Sequence, residues 1–381
     1  MRDRAFVGPR ALLAAACVAL SAPAAAAPGA DVTVPAGFVA ERIATVARAR
    51  ELAVAPNGDL FVGTSGDTIA VVPGAEGTPG APRTYATFPD RPVAGVFVTP
   101  DAVYAGGQFG VYRIAYRSGD RTARATPEKI ASVRTSGASG VHITTTVAVA
   151  NGVLYASVGS SCNACDPELD ATRATIQAMT LDGKDMHPRA VDIRNAIALA
   201  VQPGTNAVWA GVAGRDDLES GHPYEIFDDV TAHAGTPDYG WLKCYDDRKP
   251  IAGASCANVV VPSVVFPAYE TPIGAAFYPP NPSGRYAFPP QYRGGAFVAL
   301  HGSWHTPLRA PRVAFVRFNG TQPARTVNWS DPAAQWSDFV SGCQSASGAR
   351  TCRTTGVAVG TDGSLFVSED ENGAIYRIRP R

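Results

Sequence analysis

The sequence has no excess of charge of either sign. Its 381 residues include 33 Lys and Arg against 33 Asp and Glu, and charged residues make up only 17% of the chain. Because binding to nucleic acid depends on a basic surface, we expect no nucleic-acid partner. The hydrophobic share of 46% is enough for a large buried core and argues against disorder. This composition favours a globular protein that binds a small molecule.

The N-terminal apolar stretch is too short to cross a bilayer. Residues 11–20 are apolar, follow Arg2, Arg4 and Arg10, and lead into a run of small residues that ends at Ala27. This order of charged, apolar and small residues is typical of a secretory signal. We therefore expect a signal peptide over residues 1–27, a single mature domain over residues 28–381, a periplasmic or secreted location and no membrane span. A membrane anchor is the alternative.

Long helical periodicity is also missing, which argues against Rossmann and TIM-barrel folds. The chain instead repeats an apolar segment, a turn and a second apolar segment, at residues 52–62, 96–104, 147–155, 199–209 and 357–367, with a looser copy at 274–298. Alternating apolar residues around Asn-Gly and Asp-Gly turns predict β-hairpins, and a repeat of 40–50 residues is typical of propeller blades. We predict an all-β fold, a six-bladed β-propeller in which the N-terminal strand at 38–43 closes the last blade. Two all-β domains divided near residue 250 are the alternative.

Of the seven cysteines, six lie beyond the expected signal peptide. An even number in an exported chain indicates disulfides. Six cysteines allow 15 pairings, and we expect the local ones, 162–165, 244–256 and 343–352. The first pair also has the spacing of a redox motif, which stays an alternative, whereas Asp166 in place of His excludes c-type haem attachment.

Histidine is scarce, with six residues, so few candidates exist for a general base. His142 directly precedes the third repeat, where its side chain would point into a central channel, and its ordinary pKa suits proton transfer. Arg50, Arg194 with Asn195, and Arg353 occupy matching places before other repeats. Recurring guanidinium groups favour a central anion-binding pocket, although a surface arginine is the simpler interpretation of any single one.

Two other segments carry polar groups near strand ends. Residues 214–217 are Gly-Arg-Asp-Asp, a composition that suits calcium or an ordinary polar loop. Residues 301–305 are His-Gly-Ser-Trp-His, in which His and Trp side chains suit stacking on a flat cofactor or a sugar.

Together these motifs resemble the soluble glucose/sorbosone dehydrogenases, six-bladed propellers that use pyrroloquinoline quinone (PQQ). The resemblance extends from residue 37 to residue 378. It is carried by residues 155–165, 193–195, 209–216 and 238–241, and most specifically by residues 292–304, which are typical of the sorbosone-dehydrogenase-like branch.

The resemblance implies a role for each matching residue. His142 falls on the catalytic base, Arg194 and Asn195 on quinone contacts, and Trp304 and Arg353 on cofactor-side positions. The backbone carbonyls of Gly214 and Arg215 fall where the family holds Ca²⁺. The implied reaction is oxidation of a sugar or a sugar-derived aldehyde by hydride transfer to PQQ, followed by electron transfer to an external acceptor.

Three segments, at residues 144–146, 224–227 and 305–306, depart from the family pattern on the cofactor side. The alternatives are therefore a non-catalytic sugar- or ligand-binding propeller and a lactonase-like hydrolase. The second would need carboxylates at a central metal, whereas here the repeats begin with Arg and His.

Overall fold

The computed structural model describes residues 32–135, 140–303, 305 and 308–381. The expected signal peptide and Trp304 lie outside these described residues. Strands form nearly all the regular structure, and two short 3₁₀ turns lie at Pro290–Tyr292 and Pro332–Gln335. In chain order, the strands are β1 (Phe38–Thr45), β2 (Ala49–Val54), β3 (Leu60–Thr64), β4 (Thr68–Val72), β5 (Arg83–Thr87), β6 (Val93–Val98), β7 (Ala102–Gly107), β8 (Gly110–Ala115), β9 (Glu128–Ser132), β10 (Val147–Ala150), β11 (Val153–Val158), β12 (Thr175–Thr180), β13 (His187–Ala190), β14 (Ala196–Val201), β15 (Val208–Val212), β16 (Glu225–Asp229), β17 (Cys244–Tyr245), β18 (Lys249–Pro250), β19 (Val264–Phe266), β20 (Pro272–Phe277), β21 (Ala296–Leu300), β22 (Arg312–Val316), β23 (Phe318–Asn319), β24 (Gln322–Pro323), β25 (Trp336–Val340), β26 (Thr354–Val359), β27 (Leu365–Glu369) and β28 (Ala374–Pro380).

The longer strands of the described residues form six antiparallel groups of four. They are β2-β3-β4-β5, β6-β7-β8-β9, β10-β11-β12-β13, β14-β15-β16-β19, β20-β21-β22-β25 and β26-β27-β28-β1. The first two groups are linked by a single pairing, Thr64 with Val93. The prediction of an all-β, antiparallel fold is confirmed.

The N-terminal strand completes the last group. β1 pairs antiparallel with β28, with Phe38 opposite Pro380 and Thr45 opposite Ala374. The predicted pairing of the first strand with the last sheet is therefore confirmed. Because β28 pairs with β1 on one side and with β27 on the other, the last strand of the chain has no unpaired edge.

Local sequence explains the hairpins. β10 and β11 are joined by Asn151 and Gly152, which have φ values of 48° and 74°. A two-residue hairpin of type I′ needs positive φ at both turn positions, and Asn and Gly adopt it at the least cost. The turn fixes the register in which Ala150 faces Val153.

The cores lie between adjacent sheets rather than inside one shared layer. Trp209 of β15 is fully buried and packs against Phe227, Phe277 and Phe318, with ring centroids 5.0–5.8 Å apart. Phe277 belongs to the next four-stranded group, so this cluster joins two sheets. Aromatic burial of this kind stabilises the face-to-face packing of neighbouring groups.

One cavity of about 450 Å³ is bordered by the first strand of every group: β2, β6, β10, β14, β20 and β26. These strands also contact one another in that order, and β26 contacts β2. Most of the lining is apolar, but Glu51 and Thr146 border it as well. The six first strands thus surround a common central space.

The three predicted disulfides are confirmed: Cys162–Cys165, Cys244–Cys256 and Cys343–Cys352. The first two close loops within a single group of strands, and the third closes a loop in the connection between β25 and β26. Over the described residues, no helix is long and apolar enough to cross a membrane.

Candidate functional site

The predicted site residues lie at one end of the sheets, where the first strands begin and the second strands end. Arg50 lies near the start of β2, and Asn195 and Arg353 directly precede β14 and β26. In the last group, Thr354 at the start of β26 pairs with Glu369 at the end of β27. Antiparallel pairing therefore brings the loops that follow the second strands to the same end as these residues.

His142 precedes β10 and is held in one orientation by Ser160. Its Nδ1 lies 3.1 Å from the carbonyl oxygen and 2.9 Å from the hydroxyl oxygen of Ser160. The Ser160 hydroxyl donates its own hydrogen to the carbonyl of Cys162, at 2.7 Å. Nδ1 must therefore be the protonated nitrogen, which leaves the lone pair of Nε2 as a proton acceptor.

Three guanidinium groups surround this imidazole. Buried Arg134 donates to the carbonyls of His142 and Thr144, at 3.2 and 2.7 Å. Arg173 donates to the carbonyl of Ser160 at 3.1 Å. Burial, followed by the positive charge of Arg194 and then by the other two arginines, lowers the pKa of His142 to about 3. The imidazole is therefore neutral near pH 7, and an anion bound among these cations would raise its pKa.

Asn195 lies near His142, and Gly159 lies between the two side chains. The buried Oδ1 of Asn195 has no hydrogen-bond partner. A methyl group at Gly159 would collide with this oxygen and with Cβ of His142. The glycine therefore permits the two predicted site residues to approach each other, and an unpaired buried acceptor is a place for a ligand or a cation.

Arg194 is buried and its guanidinium is bonded within the protein. It donates to the carbonyl of Ala213 at 3.2 Å and to Oδ2 of Asp216 at 3.1 Å, and it also contacts Asn163. The sequence predicts a direct cofactor contact, whereas the structure places this side chain as a link between three loops. Any contact with a ligand would be added to these bonds or would replace some of them.

The predicted calcium segment begins next to a buried acid. The backbone N–H of Gly214 donates to Glu225 at 2.6 Å, and burial raises the pKa of Glu225 to about 7 despite this bond and the nearby charge of Arg194. The side chain of Arg215 forks onto Asp217 with two contacts of 2.7 Å. Among the described residues, no three His, Cys, Asp or Glu side chains gather as metal ligands. The predicted calcium ligands in this segment are backbone carbonyl oxygens, so this absence does not bear on them.

Arg50 and Arg353 meet around a second imidazole. Nη2 of Arg353 lies 2.8 Å from Nδ1 of His301, and Nε2 of His301 lies 3.0 and 3.1 Å from the two oxygens of Asp370. Arg50 reaches the same carboxylate at 3.0 Å. Because a guanidinium can only donate, Nδ1 of His301 accepts and Nε2 carries the hydrogen. Burial lowers the pKa of His301 to about 4, although Asp370 opposes the shift.

This second group also carries an unpaired donor. The Nε of Arg353 is buried and has no hydrogen-bond partner. A buried N–H of a cation is costly to leave unsatisfied, so it favours an anionic or carbonyl ligand at this position. The structure thus brings Arg50 and Arg353 together, and separately His142, Arg194 and Asn195.

Arg134 was not predicted by the sequence analysis. It lies just after β9, in a segment outside the repeated phrases, and nothing in its spacing distinguishes it from a surface arginine. Burial with bonds from Nη1 to Gln108 and Thr145 shows that it organises the segment at residues 142–145. That segment contains two of the threonines that depart from the family pattern, and they are contacts of Arg134.

Solved structures with the same fold include two sugar dehydrogenases and a carbohydrate-active enzyme. The PQQ domain of pyranose dehydrogenase from Coprinopsis cinerea, in its holo form, matches with a TM-score of 0.76 at 17% identity, over 91% of this chain and 97% of that one. The chain has the fold of the PQQ sugar dehydrogenases. A calcium structure of a family AA12 enzyme from Trichoderma reesei matches with a TM-score of 0.76 at 18% identity, over 92% and 97% of the two chains. The PQQ-bound aldose sugar dehydrogenase of Streptomyces coelicolor gives 0.62 at 17% identity, over 92% and 100%.

The sequence comparisons agree with this fold. Residues 228–381 match the family model described as TrAA12-like. An uncharacterised protein of Borreliella burgdorferi is 25% identical over 232 residues, which are 60% of this chain and 57% of that protein. The chain therefore spans little more than half the length of this curated relative. The resemblance to PQQ-dependent sugar dehydrogenases is confirmed, and the sorbosone-dehydrogenase-like branch stays a prediction.

Proposed function

We propose that the protein is a PQQ-dependent oxidoreductase that oxidises a sugar or a sugar-derived aldehyde. The observation that carries this proposal is His142, whose Nδ1–H is fixed by Ser160 and whose Nε2 is left to accept a proton. A general base must be neutral and correctly oriented before it can act. The arginines around it supply the positive charge that an anionic cofactor requires.

The residues present fit a planar, polyanionic quinone. Oδ1 of Asn195 and Nε of Arg353 are buried polar atoms without partners, one an acceptor and one a donor. Gly159 permits Asn195 and His142 to lie close together. We assign Arg50, Arg194, Asn195 and Arg353 to the cofactor site, together with Trp304, which lies outside the described residues. The backbone carbonyls of Gly214 and Arg215 are the proposed calcium ligands.

In the proposed reaction, bound PQQ with Ca²⁺ supplies the acceptor for a hydride from the substrate carbon. Nε2 of His142 takes the proton from the substrate hydroxyl, and Ser160 keeps the imidazole in the tautomer that permits this. Arg134 fixes the backbone at His142 and two residues after it, through the carbonyls of His142 and Thr144. The positive charges would favour the negative charge that the acceptor gains with the hydride.

The wider architecture belongs to the same proposal. We interpret the six groups of strands as the blades of one closed propeller over residues 28–381, with β1 as the outer strand of the last blade. Support comes from the shared central cavity and from the contact between β26 and β2. The disulfides agree with export to the periplasm or the medium, where an external electron acceptor would be reached.

A non-catalytic ligand-binding propeller is the second candidate. It is favoured by Arg194, whose Nε, Nη1 and Nη2 are all already bonded within the protein. A cofactor that needed this side chain would have to compete with those bonds. The two candidates differ in whether a bound ligand is turned over.

PQQ titration of the purified protein with Ca²⁺, followed by quinone absorbance and by dye reduction with added aldoses, tests the proposal. His142→Ala should abolish turnover and leave PQQ affinity within a few-fold, because the base is not needed to hold the anion; general-base catalysis is worth about 10²–10⁴-fold. Arg194→Ala should lower both affinity and rate. His187→Ala, at an exposed histidine on β13, is the control and should change neither.

Normal turnover by His142→Ala would contradict the assignment of the base. If the wild-type protein binds a sugar but no PQQ, the non-catalytic candidate replaces the enzyme.

A further inference from the structure

The loop closed by Cys162–Cys165 contacts both Ser160, which orients His142, and Arg194. It follows β11 and Ser160, and its residues are partly exposed. Asn163 at its tip has a side-chain oxygen that accepts two hydrogen bonds. One comes from Nη2 of Arg194 at 2.8 Å and the other from the backbone N–H of Asp216 at 2.9 Å. One amide oxygen thus joins the segment before β14 to the segment after β15.

The backbone of the same residue makes two more links. Its carbonyl accepts from Nε of Arg194 at 3.2 Å and from the indole N–H of Trp241 at 2.8 Å. Arg215 is the main cause of the lowered pKa of the Asp217 carboxyl, and a hydrogen bond from the Asn163 side chain adds a smaller contribution. Asn163 therefore contacts three separate segments of the chain, and it bonds Arg194 twice.

The loop also supports the imidazole. The carbonyl of Cys162 accepts the hydrogen of the Ser160 hydroxyl, which obliges Nδ1 of His142 to donate. The residue next to Asn163 in sequence thus helps to set the tautomer of the candidate base. A short disulfide-closed loop restricts the positions of both neighbours at once.

Arg194 is buried, with only 6% of its surface exposed. A buried guanidinium must have its N–H groups hydrogen-bonded, and losing a partner of a charged group is costly. Without the Asn163 side chain, Nη2 of Arg194 keeps only Asp216, and the backbone N–H of Asp216 loses its acceptor. The guanidinium would then move toward the site or toward solvent.

We infer that Asn163, held by the Cys162–Cys165 loop, is a positioning residue of the cofactor site that sets the geometry of Arg194 and of the segment at residues 214–217. The inference rests on the proposed function for its effect on PQQ, but its structural part does not depend on any cofactor. Asn163 acts through Arg194 and Asp216 and is not itself assigned a ligand contact.

Two measurements on the full-length protein test this. The first needs no cofactor: the chain has five tryptophans, so ¹H–¹⁵N spectra contain few indole signals, and Trp241→Phe identifies the one from Trp241. The second is PQQ affinity in the presence of Ca²⁺. Asn163→Ala should shift the Trp241 indole signal and weaken PQQ binding by about 10-fold or more, the effect of losing hydrogen bonds to a charged group.

Asn57→Ala is the matched control. Asn57 bonds Asp59 in the turn after β2, at the opposite end of the sheet, and its variant should change neither measurement. The double variant Asn163→Asp/Asp217→Asn keeps an oxygen for Arg194. It also exchanges the amide and the carboxylate between residues 163 and 217, so that these two side chains can still form a hydrogen bond. It should bring the indole signal and the PQQ affinity back toward the wild-type values.

The results separate the inference from the proposed function. An unmoved Trp241 signal in Asn163→Ala overturns the inference, and so does PQQ affinity within twofold of a wild-type protein that binds PQQ. If the wild-type protein binds no PQQ but the Trp241 signal moves and the double variant restores it, the positioning role stands and the proposed function fails.

Discussion

Glu51 departs from a packing rule that the other five first strands obey. In three of the first strands, the residue just before the repeated apolar segment is a glycine that lies against the backbone of a neighbouring segment. Small or short side chains fill five of these positions: Gly95, Thr146, Ala198, Gly274 and Gly356. At Gly274 and Gly356, a methyl group would collide with the backbone of Thr355 and of Arg50. Among the six first strands, only β2 has a carboxylic acid at this position, Glu51, which borders the central cavity.

The replacement of Glu51 by Gln tests what this acid does to stability. Glu51 is 8% exposed, and burial raises its pKa well above the ordinary value of 4.5, with Arg50 opposing the shift. The folded state therefore favours the protonated form. Below pH 4.5 the acid is protonated in both the folded and unfolded states, and stability is lost as the pH rises toward the folded-state pKa.

Glutamine keeps the size and polarity but does not titrate. The free energy of unfolding of the Glu51→Gln variant, minus that of the wild type, should therefore grow with pH from 4.5 upward. The slope is about 1.4 kcal/mol per pH unit, up to the pKa of the folded protein, and the difference is constant beyond it. Other titrating groups are common to both proteins and largely cancel in the difference.

Urea unfolding followed by tryptophan fluorescence between pH 4 and pH 9 gives this difference directly. Glu128→Gln, at an exposed position on β9, controls for the loss of one carboxylate from the surface. A difference between Glu51→Gln and wild type that is the same at every pH would refute the reasoning. It would mean that Glu51 is hydrated or paired well enough to ionise normally in the folded state.

Two further predictions concern a buried ion pair and the Cys162–Cys165 disulfide. Glu270 is fully buried and bonded to Arg312 at 2.6 and 2.8 Å, so Arg312→Met should lower the free energy of unfolding by about 3–5 kcal/mol. Adding Glu270→Gln to that variant should recover much of the lost free energy, as measured by urea unfolding. An Arg312→Met variant as stable as the wild type would contradict a buried ion pair. Replacing both Cys162 and Cys165 by Ser should lower PQQ affinity markedly while costing at most about 2 kcal/mol of stability in the same assay, because so short a loop restricts the unfolded chain little. Unchanged affinity would show that the loop keeps its shape without the bond.

The fold could be predicted because its signals are local and repeated. Each hairpin carries its own alternation and its own turn residues, as Asn151 and Gly152 show, and the repeat of about 40–50 residues multiplies that signal. The disulfide pairing was predictable for the same reason, since the cysteines of each pair are close in sequence. β1 could be placed because it was the one strand left without a hairpin partner.

The site was predictable only in part, because its chemistry depends on contacts between distant segments. Position before a repeat indicated His142, Arg50 and Arg353, and the structure places these residues at the same end of the sheets. It did not indicate Arg134, which reaches the site from the end of an outermost strand. Nor did it show that Arg353 is joined to Arg50 through His301 and Asp370.

Glu51 shows a signal that the sequence does contain. When the six repeats are aligned on their first apolar residue, five have Gly, Ala or Thr immediately before it, and one has Glu. The reason appears only in three dimensions, where the small residues permit the close approach of neighbouring first strands. Glu51, next to Arg50, does not follow this pattern. Burial of its ionised carboxylate is unfavourable in the folded state, and the side chain adds a carboxylic acid to the wall of the central cavity. Beside the arginines that we propose bind an anion, the protein therefore raises the pKa of one acid, because burial outweighs the attraction of a single adjacent cation.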